Sequence, residues 1–115
     1  MHIEASAPTR IDLAGGTLDI WPLYLFHDGA QTLNAAISLR AHCEVTSRSD
    51  GRIVIESQDA HLRVEVDHWS ALRDHHDLRL LGRLLHFFQV GGIELRTRSE
   101  SPVGAGIAGS SASLL

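Results

Sequence analysis

Two short stretches hold the residues with which this chain could do chemistry. One is Pro102-Val103-Gly104-Ala105-Gly106-Ile107-Ala108-Gly109-Ser110-Ser111-Ala112, where three glycines fall within six positions after an alternating segment and before helix formers. Glycine admits positive φ, so consecutive N–H groups can turn into one concavity, and a following helix aims its free N–H groups at the same spot. Such a place suits an anion, most simply a phosphate. Ser110 and Ser111 can cap that helix, or reach a phosphate oxygen or its Mg²⁺. The plainer alternative is a tight strand-to-helix turn with serine as an ordinary N-cap. Gly104, Gly106 and Gly109 also satisfy the bare G-x-G-x-x-G of dinucleotide sites. The acid that would confirm that pattern belongs about 20 residues further on, past Leu115.

The other stretch is Ala7-Pro8-Thr9-Arg10-Ile11-Asp12-Leu13-Ala14-Gly15-Gly16-Thr17-Leu18-Asp19. A guanidinium such as Arg10 beside a transferred phosphate stabilises charge that grows in the transition state. An aspartate in a Gly-rich loop, as Asp19 would be, can accept hydrogen bonds from substrate hydroxyls. The alternative is that Arg10 pairs with Asp12 or Asp19 at the surface and that the glycines only turn the chain.

The elements that must position these stretches follow from periodicity. Thr9–Ala14 alternates Ile11 and Leu13 with Arg10 and Asp12, which predicts a half-buried strand. Further strands are expected over Thr32–Ser38, Arg40–Ser47, Arg52–Ser57 and His61–Asp67, with a turn at Ser49-Asp50-Gly51, as an antiparallel meander. From Asp77, Leu78, Leu81, Leu85 and Phe88 recur at helical spacing with Leu84 beside them, and Gly91-Gly92 would end the helix in a left-handed cap. Ile93, Leu95 and Thr97 then alternate with Glu94, Arg96 and Arg98 in a last strand. The order implies an α+β fold, a mostly antiparallel sheet with helix packed on it. Ser110–Leu115 reads as a helix start that stops within two turns, so the expectation is the front part of a longer protein.

Composition closes off several classes. The chain has 115 residues, 43% of them hydrophobic and 21% charged, with one cysteine and a formal charge of −4. That is one domain with a core, neither disordered nor a disulfide scaffold. No apolar run reaches the ~20 residues of a membrane span, and Met1-His2-Ile3-Glu4 lacks secretory-signal order, so a soluble cytoplasmic chain is expected. All 10 basic residues are arginine. Without lysine there is no Schiff base, no lysine base and no Walker A loop. The acidic balance argues against nucleic acid, and Arg79, Arg83, Arg96 and Arg98 are interspersed with Asp74, Asp77, Glu94 and Glu100, as on a solvated face. None of the eight histidines has His-Glu-x-x-His spacing, and Cys43 has no thiolate partner.

Taken together the two stretches resemble the amino-terminal part of the galactokinase–homoserine kinase–mevalonate kinase–phosphomevalonate kinase superfamily. Pro102–Ala112 is similar to its second motif, the Gly-rich ATP loop ending Gly-Ser-Ser-Ala, and Ala7–Asp19 to its first. Gly29 through Asn34-Ala35-Ala36-Ile37 is similar to the segment that follows the first motif. The Ala-Gly-Gly form is nearest the heptose and fucose kinase branch. Galactokinases carry Glu and His where Gly16 and Thr17 stand, which counts against galactose. Leu18 replaces a usual Thr, and Ile107-Ala108 a usual Leu-Gly.

The resemblance implies a ribosomal-protein-like domain with a left-handed crossover, and transfer of a γ-phosphoryl group from ATP to a hydroxyl, most simply of a sugar. Arg10 would be the catalytic arginine. Gly15, Gly16, Thr17 and Asp19 would bind substrate. Pro102, Gly104, Ala105, Gly106, Ile107, Ala108, Gly109, Ser110 and Ser111 would surround the triphosphate, with Ser111 near Mg²⁺. The family's catalytic aspartate and third motif would fall beyond Leu115, so residues 1–115 are expected to be an incomplete ATP-binding domain, inactive alone. The rival readings are a dinucleotide-binding oxidoreductase, and a non-catalytic domain of the same fold that binds RNA or protein.

Overall fold

The computed structural model describes residues 1–16, 18 and 20–102. Five strands, β1 (His2–Ala14), β2 (Leu33–Ser47), β3 (Ile53–Ser57), β4 (Leu62–Val66) and β5 (Ile93–Ser99), form one sheet with a single α-helix, α1 (Arg79–Phe88), between β4 and β5. The sheet order is β1-β2-β5-β3-β4. Neighbours run antiparallel except β3 and β5, which are parallel. The α+β expectation holds, and the meander does not: β5 inserts between β2 and β3. Alternation along a strand gives its faces but not its neighbours, and this pairing is set by packing across the chain.

The segments expected as Thr32–Ser38 and Arg40–Ser47 are one strand. Asn34 and its neighbouring alanines are weak strand formers, but β1 pairs with them as far as Leu33 and overrides their propensity. β1 likewise begins at His2, seven residues before the expected Thr9, because its first half lies along β2 from Thr46 to Arg40.

One face of the sheet carries the core. Ile53, Ile55, Val64, Ile93 and Leu95 pack against Leu72, Leu81 and Leu85, and Gly82 is also buried on the helix. Phe88, expected in the apolar stripe, is exposed, as is Phe87. The helix begins at Arg79, because Leu78 sits in the left-handed region as its N-cap. It ends at Gln89, also left-handed, rather than on Gly91-Gly92. The left-handed turn at Gln89 brings the N–H of Val90 back to the Leu85 carbonyl at 3.3 Å.

The other face is charged. A continuous ladder runs Asp50–Arg48–Glu94–Arg96–Glu56–Arg63–Glu65–Arg52–Asp67. Val54, paired with Glu94 on one side and Glu65 on the other, is fully buried on this face. Arg96 belongs to the ladder and Arg98 lies 4.0 Å from Glu100, while Arg79 and Arg83 ride on α1 across the sheet. The four arginines are therefore divided between two sides of the molecule. No helix among the described residues is long and apolar enough to cross a membrane.

Candidate functional site

β1 delivers Arg10 to the surface, where its Nε lies 3.4 Å from Asp12 Oδ1. Residues two apart on a strand share a face, so this pair follows directly from the sequence. It is the surface pairing that had been the plainer reading of Arg10, and the guanidinium stays half exposed.

The chain then bends. Gly15 has φ +74°, and a Cβ there would lie 2.2 Å from the carbonyl oxygen of Gln31, so only glycine fits. Its carbonyl accepts the N–H of Leu18 and the hydroxyl of Thr32, each at 3.0 Å. At Gly16 the missing side chain makes room for the Asp12 carboxylate, whose Oδ2 would be 2.6 Å from an added Cβ. The double glycine thus folds the loop against both the start of β2 and the end of β1. Thr17 and Asp19, expected on the substrate side, lie outside the described residues.

Beside this bend a shallow cavity of about 370 Å³ is lined by Leu18, Tyr24, His27, Asp28, Gly29, Ala30 and Thr32. That is the lower end of the size range for small-molecule sites. Tyr24, His27 and Asp28 are polar walls that the sequence did not single out, since nothing in their spacing marks them. Around it Ile20, Trp21, Leu25 and Phe26 are exposed, Trp21 by 71%.

Behind Arg10 the first stretch meets the residue that leads into the second. Between Pro8, opposite Arg40, and Arg10, opposite Ala36, β1 has one residue and β2 has three, an irregularity centred on Thr9. Thr9 is 1% exposed. Its hydroxyl donates to the Leu39 carbonyl at 3.0 Å and accepts from Ser101 Oγ at 3.3 Å. Ser101 directly precedes Pro102, where the second stretch begins. Glu100 fixes the same corner: its N–H donates to the Arg40 carbonyl, its Oε2 accepts the Arg40 N–H, and its Oε1 lies 3.0 Å from His42 Nε2. The backbone N–H of Arg40, with His42 beside it, holds the Glu100 carboxyl below the usual carboxylate value.

Pro102 is exposed at this corner, and Gly104, Ala105, Gly106, Ile107, Ala108, Gly109, Ser110 and Ser111 lie outside the described residues. Among the described residues no group of three His, Cys, Asp or Glu side chains is arranged to hold a metal ion. Burial raises the Cys43 thiol above its ordinary value, so it is no ready nucleophile.

No family model matches the chain. A D-glycero-alpha-D-manno-heptose 7-phosphate kinase of Campylobacter jejuni is 34% identical over 115 residues, covering 95% of this chain and 34% of the relative. Among solved structures, a D-glycero-D-manno-heptose 1-phosphate kinase from Bacteriodes thetaiotaomicron superposes with a TM-score of 0.77 at 25% identity, over 99% of this chain and 39% of its own. The Methanococcus jannaschii mevalonate kinase shares the fold at 14% identity, with a TM-score of 0.71 over 97% of this chain and 37% of its own. The chain thus spans little more than a third of the length of the proteins it matches. With this likeness along nearly its whole length, the chain is similar to the amino-terminal part of kinases of the galactokinase–homoserine kinase–mevalonate kinase–phosphomevalonate kinase superfamily.

Proposed function

We propose that this chain carries the substrate loop and the nucleotide loop of a kinase that moves the γ-phosphoryl group of ATP to a hydroxyl of a sugar, with a phosphorylated heptose as the acceptor. The observation that supports this most is the meeting of the two motifs: the residues just before Arg10 and Pro102 share a hydrogen bond. The heptose phosphate kinases among its relatives suggest the acceptor class.

In this reading Arg10 stabilises charge on the transferring phosphoryl group. Gly15, Gly16, Thr17 and Asp19 hold the sugar beside the cavity. Pro102 to Ser111 surround the triphosphate, and Ser111 meets Mg²⁺. Freeing Arg10 from Asp12 costs little, since a half-exposed pair is worth under ~1 kcal/mol. The general base belongs to a part of the enzyme beyond residue 115, so residues 1–115 form an incomplete ATP-binding domain that binds without turning over, in the cytoplasm.

Calorimetric titration of the chain with Mg·ATP and with NAD tests the nucleotide half, and saturable binding of ATP alone is expected. Phosphoryl transfer to D-glycero-D-manno-heptose 7-phosphate by the complete coding frame tests the acceptor. There Arg10→Ala lowers kcat by about a hundredfold or more, the scale of losing one transition-state donor, and Ser111→Ala raises KM for Mg·ATP. Preference for NAD would overturn the reading in favour of an oxidoreductase. Salt-sensitive RNA binding without nucleotide binding would overturn it in favour of a non-catalytic domain.

A further inference from the structure

We infer that Thr9 and Ser101 act as one positioning pair, a buried hydroxyl relay that sets where the Gly-rich segment leaves the sheet and so ties nucleotide binding to the substrate motif. The inference rests on the kinase reading above, and neither residue touches substrate in it.

The direction of the relay is fixed by proton count. A hydroxyl has one proton to give, and that of Thr9 goes to the Leu39 carbonyl at 3.0 Å. Ser101 Oγ, 3.3 Å from Thr9 Oγ1, must therefore be the donor between them. Valine would fill the space of Thr9 equally well. A threonine buried to 1% exposure, with β2 thrown out of register so that Leu39 meets it, is present for its hydroxyl.

Ser101 has no freedom left. Its N–H donates to Ser99 Oγ at 3.1 Å, its side chain is held by Thr9, and the residue before it is bonded to Arg40. Pro102 removes the next N–H, fixes its own φ and confines Ser101 to extended conformations. The position and heading of the chain are thus fixed as far as Pro102. On the other side Thr9 is peptide-bonded to Arg10, so one relay locates both the arginine and the entry to the Gly-rich segment. Without it that entry must be ordered when the nucleotide binds, and the ordering weakens affinity.

The test is a double-mutant cycle on the chain, reading Mg·ATP affinity by calorimetry and thermal stability by circular dichroism. Thr9→Val and Ser101→Ala each weaken Mg·ATP binding about tenfold, the weight of one hydrogen bond of ordinary net strength. The double variant is no weaker than either single one, and Thr9→Ser restores wild-type affinity. Ser101→Ala keeps the Thr9–Leu39 bond, so it reports on the relay even where Thr9→Val fails to fold. Variants that lose stability but bind Mg·ATP like the wild type overturn the positioning role alone. A folded wild-type chain that binds no Mg·ATP overturns the kinase reading and this inference together.

Discussion

At the scale of single residues, Gly15 and Arg10 are defined by different kinds of necessity. Gly15 is required by its backbone, since any side chain would collide with the Gln31 carbonyl. Gly15→Ala is expected to cost about 1–3 kcal/mol, the price of a non-glycine residue forced into that region, and urea denaturation at neutral pH would measure it. A loss within ±0.5 kcal/mol, the range of an ordinary surface change, would show that the loop can relax. The pairing of Arg10 with Asp12 was legible from type and spacing, because residues two apart on a strand share a face. Thr9 was not legible. A threonine in an alternating stretch reads as an ordinary strand former, and the register shift that turns its hydroxyl to use exists only once β2 is paired beside it.

At the scale of elements, periodicity located α1 and β5 well but misplaced the limits of the helix. Leu81 and Leu85 face the core, whereas Phe88 has left it by the last turn. Leu85→Ala should therefore cost ~2–5 kcal/mol, and Phe88→Ala only ~0.5 kcal/mol or less, although both belong to the same apolar stripe. Equal losses in chemical denaturation would place Phe88 in the core after all. The corner between β2 and β5 carries a pH dependence. Glu100 is held below its usual value of 4.5 by the Arg40 N–H and by His42. A carboxyl depressed in the folded state stabilises it above the unfolded value and loses that contribution as pH falls through the folded one. Thermal stability should thus decline on acidification below about pH 4.5, and Glu100→Gln should shrink that decline. Asp50, pulled to about 2 by Arg48, extends the same loss to the acid end of the range. An unchanged profile in Glu100→Gln would dissociate the corner from acid lability.

At the scale of the whole molecule the two faces of the sheet are finished differently. The charged face is paired along its ladder, while Trp21, Leu25 and Phe26 stand uncovered beside the loop of the first stretch. Trp69, in contrast, packs against the core and makes an edge contact with His86 at 5.3 Å. Tryptophan emission of the chain should contain a red-shifted component open to acrylamide, and Trp21→Phe should remove it. A uniformly blue, protected emission would mean that Trp21 is covered in solution. The charged face was readable as alternation in β5, but the helix-side packing was not, because it depends on which strands become neighbours.

The place of β5 has a consequence for how the chain comes to be folded at all. Among the described residues up to 92 a growing chain owns two strand pairs, β1 with β2 and β3 with β4, and no strand ladder between them. β5 is the seam, antiparallel to one pair and parallel to the other. As it leaves the ribosome the polypeptide holds two separate ribbons with unmatched edges, and only β5 turns them into one sheet. Long-range pairing of this kind is slow and leaves edges open to other chains in the meantime. Synthesis halted just short of Ile93 would release a sticky intermediate rather than a smaller domain.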